Sequence, residues 1–196
     1  MTKKGVRLAA EMDRRGRVLE RPDLNRPSFA ELSPRASLEA IDRMAEGDDA
    51  WCLVGSSMGG YLAALWASRN PSRVGRLVLL CPGFELATRW PAIVGPERME
   101  RWKRDGSLLF PDGEGRPVPV HYAFYEEGRT LPERPRISCP ARIYHGVHDE
   151  VVPIETSRAY VKENPHVELV ELDDDHALLA SIDRILAETL AYFEIG

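Results

Sequence analysis

Ser57 lies between glycines in Gly55-Ser56-Ser57-Met58-Gly59, directly after the apolar run Trp51 to Val54 and before a segment of helical periodicity. Such an arrangement presents a hydroxyl for nucleophilic attack. A sharp strand-to-helix turn holds the serine in a strained conformation, and side chains at the flanking glycines would collide with the strand and helix they join. A serine hydroxyl is a poor nucleophile near neutral pH, so it needs a base within hydrogen-bond reach, and that base needs a partner that fixes its tautomer and stabilises its charge. Two later segments offer them. His145-Gly146-Val147-His148-Asp149-Glu150-Val151-Val152-Pro153 places Asp149 in a turn ahead of a helix, and Asp173-Asp174-Asp175-His176-Ala177 places His176 in a loop ahead of the last helix.

Each role has rivals. Glu150 neighbours Asp149, and Asp173, Asp174 or Asp175 could orient His176, although an acidic run in a loop is more often solvated. His145 and His148 could ligate a metal with the aspartates, but no helical His-x-x-x-His pair or cysteine set supports this. His121 and His166 have no constellation around them and are expected at the surface.

The elements that must position these residues follow from periodicity. Val6, Leu8, Ala9, Ala10 and Met12 predict an amphipathic helix over 5–12, followed by a short strand at 17–20 and a loop marked by Pro22, Asn25 and Pro27. A second helix is expected from Ser37, as cap, through Leu38, Ile41 and Met44 to Gly47. After the serine turn, Met58, Tyr61, Leu62, Leu65 and Trp66 share a helix face that ends at Asn70-Pro71. Leu77 to Cys81 is a continuous apolar run stopped by Pro82-Gly83, as expected of a parallel strand covered on both faces. From about 84 to 136 the alternation breaks into a Pro- and Gly-rich stretch with scattered aromatics, which reads as an inserted cap whose aromatics suggest a partly apolar substrate group. Alternation resumes with a strand at 141–145, a helix at 155–163 and a strand at 167–172. The last helix is expected to carry Leu178, Leu179, Ile182, Ile185, Leu186 and Phe193 on one face. This is an α/β fold with a mainly parallel sheet, whose sites gather at the carboxyl ends of the strands.

Composition sets the bounds. The 196 residues, 43% hydrophobic and 29% charged, suit one globular domain, 1–196, with the cap inserted. A net charge of -5 without a concentrated Lys/Arg block argues against nucleic acid as partner. Three cysteines without a C-x-x-C pair fit a reducing compartment, and Cys52 and Cys81 read as small strand residues. No stretch has the length of a membrane span and no signal peptide is evident, so the expected location is the cytoplasm, with no membrane partner.

In the order Ser57, Asp149, His176, the elbow Gly-Ser-Ser-Met-Gly-Gly, the turn His-Gly-x-x-Asp-Glu-Val-Val-Pro and the loop Asp-Asp-His-Ala-Leu resemble those of the α/β-hydrolases, especially their small bacterial esterases of the YqiA-like branch. The resemblance covers most of the chain outside the cap. It implies a three-layer fold and an ester or thioester hydrolase without metal or organic cofactor. Ser57 would be the nucleophile, His176 the base and then acid, Asp149 its orienting carboxylate, and the Met58 backbone N–H an oxyanion donor. It also implies a central strand and a His-Gly loop ahead of the first helix, which this sequence lacks. Hence the expectation that Met1 is an internal residue of a longer protein; the alternative function is a non-catalytic binding protein of the same fold, or an inactive truncated form.

Overall fold

The computed structural model describes residues 3–25, 27–47, 50–111 and 115–195. They divide into two compact units, the first made of Met1–Glu20, Gly47–Phe84 and Arg134–Gly196, the second of Arg21–Glu46 and Glu85–Glu133. In chain order the elements are helices α1 (Lys3–Arg14) and α2 (Pro34–Met44), strand β1 (Trp51–Ser56), α3 (Met58–Arg69), β2 (Val74–Leu80), α4 (Leu86–Val94), α5 (Pro96–Asp105), β3 (Ser107–Pro111), β4 (Pro117–His121), α6 (Ala123–Gly128), β5 (Ala141–Gly146), α7 (Ile154–Glu163), β6 (Val167–Leu172) and α8 (Ile182–Tyr192).

The first unit is a parallel sheet in the order β1-β2-β5-β6. Because side chains alternate across a strand, its two faces collect different partners. Val78, Leu80 and Tyr144 point to the face that holds Ile185 of α8, while Leu8 and Met12 of α1 pack with Leu190 of α8 and with Val54. Leu77, Leu79 and Ile143, all fully buried, belong to the opposite face. There α3 lies against β1 and β2, and α7 against β5 and β6. Helices thus cover both faces, which explains why β2 reads as an unbroken apolar run.

Gly55 shows why the elbow sequence is so constrained. A Cβ added to it would lie 2.4 Å from the Gly59 carbonyl oxygen and 2.7 Å from the Gly60 Cα, so β1 and α3 meet backbone to backbone.

The second unit holds the β3–β4 antiparallel hairpin with α2, α4, α5 and α6. The sequence suggested an irregular stretch here because prolines and glycines interrupt its periodicity; Pro96 instead starts α5 at a position where its missing N–H is harmless. Fully buried Trp102 donates from Nε1 to the Val120 carbonyl at 2.7 Å, with Phe110 at 4.9 Å and Trp90 at 5.7 Å between ring centroids. These aromatics form the core of this unit.

Several expectations need correction. Residues 17–20 form no strand; after α1 the chain runs on in irregular conformation. The second helix is capped by Ser33, whose Oγ accepts from the Ala36 N–H, because Pro34 can occupy the first helical position; the Ser37 hydroxyl donates to backbone carbonyls instead. Cys81 lies one residue beyond β2 with φ 43°. Leu178 and Leu179 precede α8, Leu178 with φ 53° and Leu179 exposed, so the apolar spacing there spans a loop and a helix start rather than one helix face.

The close approach at Gly55 yields a test. Gly55→Ala is expected to lower unfolding free energy by about 3 kcal/mol or more, an overpacking effect against backbone that cannot give way. Gly75→Ala, whose added Cβ meets nothing closer than 3.8 Å, is the control and is expected to be neutral or slightly stabilising in the same urea titration.

Candidate active site

Parallel register aligns the strand ends from which the candidate residues depart. Ser56 pairs with Leu80, Leu80 with Tyr144, and Tyr144 with Val170, so one row crosses the sheet at its carboxyl edge. The next backbone bonds continue the ladder, from Ser57 N–H to the Leu80 carbonyl and from Cys81 N–H to the Tyr144 carbonyl, both at 2.9 Å. Ser57, the Asp149 turn and the His176 loop all follow this edge.

Ser57 occupies φ 54°, ψ -124°, a conformation that L-residues rarely adopt. Its carbonyl accepts from the N–H groups of Gly60, Tyr61 and Gly83, at 2.9, 3.1 and 2.9 Å, so helix and neighbouring loop together hold the strained residue in place. Met58 is the first residue of α3. Its backbone N–H is therefore one of the helix's orphan donors, at the positive end of the helix dipole.

Asp149 and His176 are brought together: His176 Nδ1 lies 2.7 Å from Asp149 Oδ2. The other carboxylate oxygen, Oδ1, accepts from the N–H groups of Val151 and Val152 at 2.8 and 2.7 Å. Burial alone would push this carboxyl's pKa up. Hydrogen bonds from His145, His176 and the Val152 N–H outweigh it and hold the group well below the usual carboxylate range. With its side chain fully shielded from solvent, Asp149 is a fixed anion beside the imidazole. The Ser57 hydroxyl caps nothing in α3 and makes no hydrogen bond to His176 among the described residues.

The rivals fall in other places. Glu150 is exposed. Asp174 is buried and accepts from the Asp175 and Ser181 N–H groups at 2.8 Å each, while Asp175 accepts from the Ala177 N–H; both shape the loop that carries His176. Exposed Asp173 pairs with exposed His148 at 2.8 Å. His121 and His166 are exposed.

Sequence reasoning missed two groups. Lys4 in the first turn of α1 donates from Nζ to the carbonyl of His176 at 3.0 Å, and burial pushes its ammonium pKa down. No local pattern could have paired residues 172 positions apart. Cys81 and His145, considered only as a strand residue and a metal candidate, both pack against Asp149: ligand-type atoms of the three lie within 4.8 Å of one another. These are the described residues best placed to hold a cation. Their donor atoms are already engaged, with His145 Nδ1 on Ser157 Oγ at 2.7 Å, His145 Nε2 on the Val152 carbonyl at 2.9 Å, and the Cys81 thiol pushed up to about 12 by burial.

The family model described as the alpha/beta hydrolase fold matches residues 13–113. The mitochondrial palmitoyl-protein thioesterase ABHD10 of Mus musculus is 27% identical over 167 residues, covering 76% of this chain and 55% of that protein. A pimeloyl-[acyl-carrier protein] methyl ester esterase of Chromobacterium violaceum is 24% identical, covering 71% of this chain and 68% of its own length. The solved structure of mouse alpha/beta hydrolase domain-containing protein 10 superposes with a TM-score of 0.70 at 23% identity, over 85% of this chain and 71% of that one. The chain spans about half the length of the thioesterases it matches. No helix among the described residues is long and apolar enough to cross a membrane.

The depressed Asp149 pKa makes stability depend on pH with a defined sign. A carboxyl whose folded pKa lies below its unfolded value of about 3.9 contributes stability that is present above pH ~4 and lost as pH falls through the folded value. Asp149→Asn is therefore expected to cost about 2 to 3 kcal/mol near neutral pH. The gap from wild type should narrow steadily below pH ~4 in denaturant titrations; a gap that stays constant with pH would contradict the ionised, hydrogen-bonded carboxylate.

Proposed function

The chain belongs to the α/β-hydrolase family, and from that premise we propose that it cleaves a carboxylic ester or thioester through an acyl-enzyme on Ser57, with His176 as base and Asp149 as its orienting acid. The observation that carries this reading is the 2.7 Å contact between His176 Nδ1 and a buried, anionic Asp149, at the same sheet edge as a serine held at φ 54°.

The chemistry follows from where protons can go. With Nδ1–H donated to Asp149, Nε2 of a neutral His176 is left with its lone pair and accepts the Ser57 proton as Oγ bonds to the carbonyl carbon. The carbonyl π pair moves to oxygen, and the Met58 N–H at the start of α3 is the donor assigned to that oxyanion. When the pair returns, the bond to the alcohol or thiol breaks, the leaving group takes the proton from His176, and the acyl group stays on Ser57. Water then repeats the sequence, releasing the acid and restoring Ser57.

Two relatives support an acyl substrate, since one is named a palmitoyl-protein thioesterase and the other a methyl ester esterase. In the same reading the chain is a single hydrolase domain, 1–196, with a cap inserted at about 84–136. The aromatics Trp90, Trp102, Phe110 and Phe124 pack on one another.

A fluorophosphonate probe should label wild type and fail on Ser57→Ala, which should also lose hydrolysis of a short-chain p-nitrophenyl ester; undiminished labelling of the variant would sink the assignment. Unlabelled, inactive wild type would favour the non-catalytic alternative. A series of p-nitrophenyl esters of increasing acyl length, with matched thioesters, is expected to show one preferred class, and Asp149→Asn, which releases the His176 tautomer, should lower kcat on it by about 10⁴-fold.

A further inference from the structure

His145 is the penultimate residue of β5, is completely buried, and takes no part in the reaction as derived above. Its surroundings determine its tautomer. Nε2 lies 2.9 Å from the Val152 carbonyl oxygen and 3.3 Å from Asp149 Oδ2, and both atoms accept hydrogen bonds only, so Nε2 carries the proton. Nδ1 of the neutral ring is then the acceptor for the hydroxyl of Ser157, itself completely buried in α7, at 2.7 Å. Hydrogen bonding thus runs in one direction, from Ser157 through the ring towards the acid turn.

The arrangement matters because the two oxygens of Asp149 are held differently, and the Cys81 thiol is a further donor to this carboxylate. Two backbone N–H groups hold Oδ1, which fixes the carboxylate's position, but only side chains address Oδ2, the oxygen that faces His176. An apolar residue at 145 would pack without needing partners in this interior; a histidine brings an N–H to Oδ2 from the side of β5.

We propose that His145 is a positioning residue for the reaction: its Nε2–H, oriented by Ser157, holds Asp149 Oδ2 and the Val152 carbonyl so that the carboxylate meets His176 at a fixed angle. This rests on the reading of Ser57, His176 and Asp149 as the reacting set. The competing role is that of a strut, in which the ring merely ties β5 to α7 through Ser157.

Two substitutions separate these roles because an asparagine amide overlays the δ nitrogen of histidine and a glutamine amide the ε nitrogen. His145→Asn keeps a partner for Ser157 and withdraws the N–H from Asp149; His145→Gln does the reverse. With active sites counted by fluorophosphonate titration, His145→Asn is expected to lose about 10- to 100-fold in kcat with KM nearly unchanged, as for other groups that orient a reacting residue. It should also lose the far-downfield proton resonance of the His176–Asp149 hydrogen bond. His145→Gln should stay within several-fold of wild type and keep that resonance. Wild-type kcat and resonance in His145→Asn, or a His145→Gln variant no better than it, would overturn the proposal.

Should neither variant fold, ¹⁵N-histidine spectra of the wild-type protein decide instead. A His145 ring protonated at Nε2 with bare Nδ1 is expected, and an Nδ1–H tautomer would overturn the proposal. The tautomer does not depend on turnover, so its failure is distinguishable from failure of the Ser57 reading, which unlabelled wild type would report.

Discussion

Gly146 is the point on which the site depends. A Cβ there would lie 2.3 Å from the Asp174 carbonyl oxygen and 2.6 Å from that of Asp175, so only a residue without a side chain lets the end of β5 approach the loop after β6 this closely. Backbone bonds then join the two segments, from Val147 N–H to the Leu172 carbonyl at 2.8 Å and from His148 N–H to the Asp174 carbonyl at 3.1 Å. Asp149 leaves one segment and His176 the other. Their 2.7 Å contact is the consequence of a backbone packing that a single methyl group would forbid.

The serine side of the site uses the same device at a different junction. Gly55 lets β1 touch the first turn of α3, and the strain at Ser57 is offset by three hydrogen bonds to its own carbonyl. Each close approach comes from a glycine at the end of a parallel strand, where the ladder ends and the chain must turn back over the sheet. Parallel pairing places these ends on one edge of the sheet.

Around Asp149 the interior is more polar than the sheet suggests. His145, Ser157 and Cys81 are buried groups, and the first two are satisfied by each other and by the acid turn. A carboxylate anion survives in this setting because two backbone N–H groups and neighbouring side chains replace the water it lost. The second unit solves a different problem, burying Trp102, Val120 and Phe124 in its own aromatic core.

Much of this was legible in the chain itself, for a physical reason: parallel strands buried on both faces must be continuous apolar runs, and chemistry at their ends must sit in short turns. Leu77 to Leu80 and the Gly-Ser-Ser-Met-Gly turn declared themselves in this way, and the contact between Asp149 and His176 joins two loops that the sequence had singled out. Short amphipathic stretches did not. Residues 17–20 alternate like a strand yet form none, because pairing is decided by neighbours far along the chain, and Leu178 and Leu179 mimic a helix face while one of them takes a left-handed turn. Only tertiary structure shows which carboxylate meets the imidazole, Asp149 at 2.7 Å from His176 while Glu150 is exposed, since adjacent carboxylates differ in direction rather than in type. It alone brought Lys4 to the His176 carbonyl, because hydrogen bonds between distant segments leave no periodicity for a sequence to display.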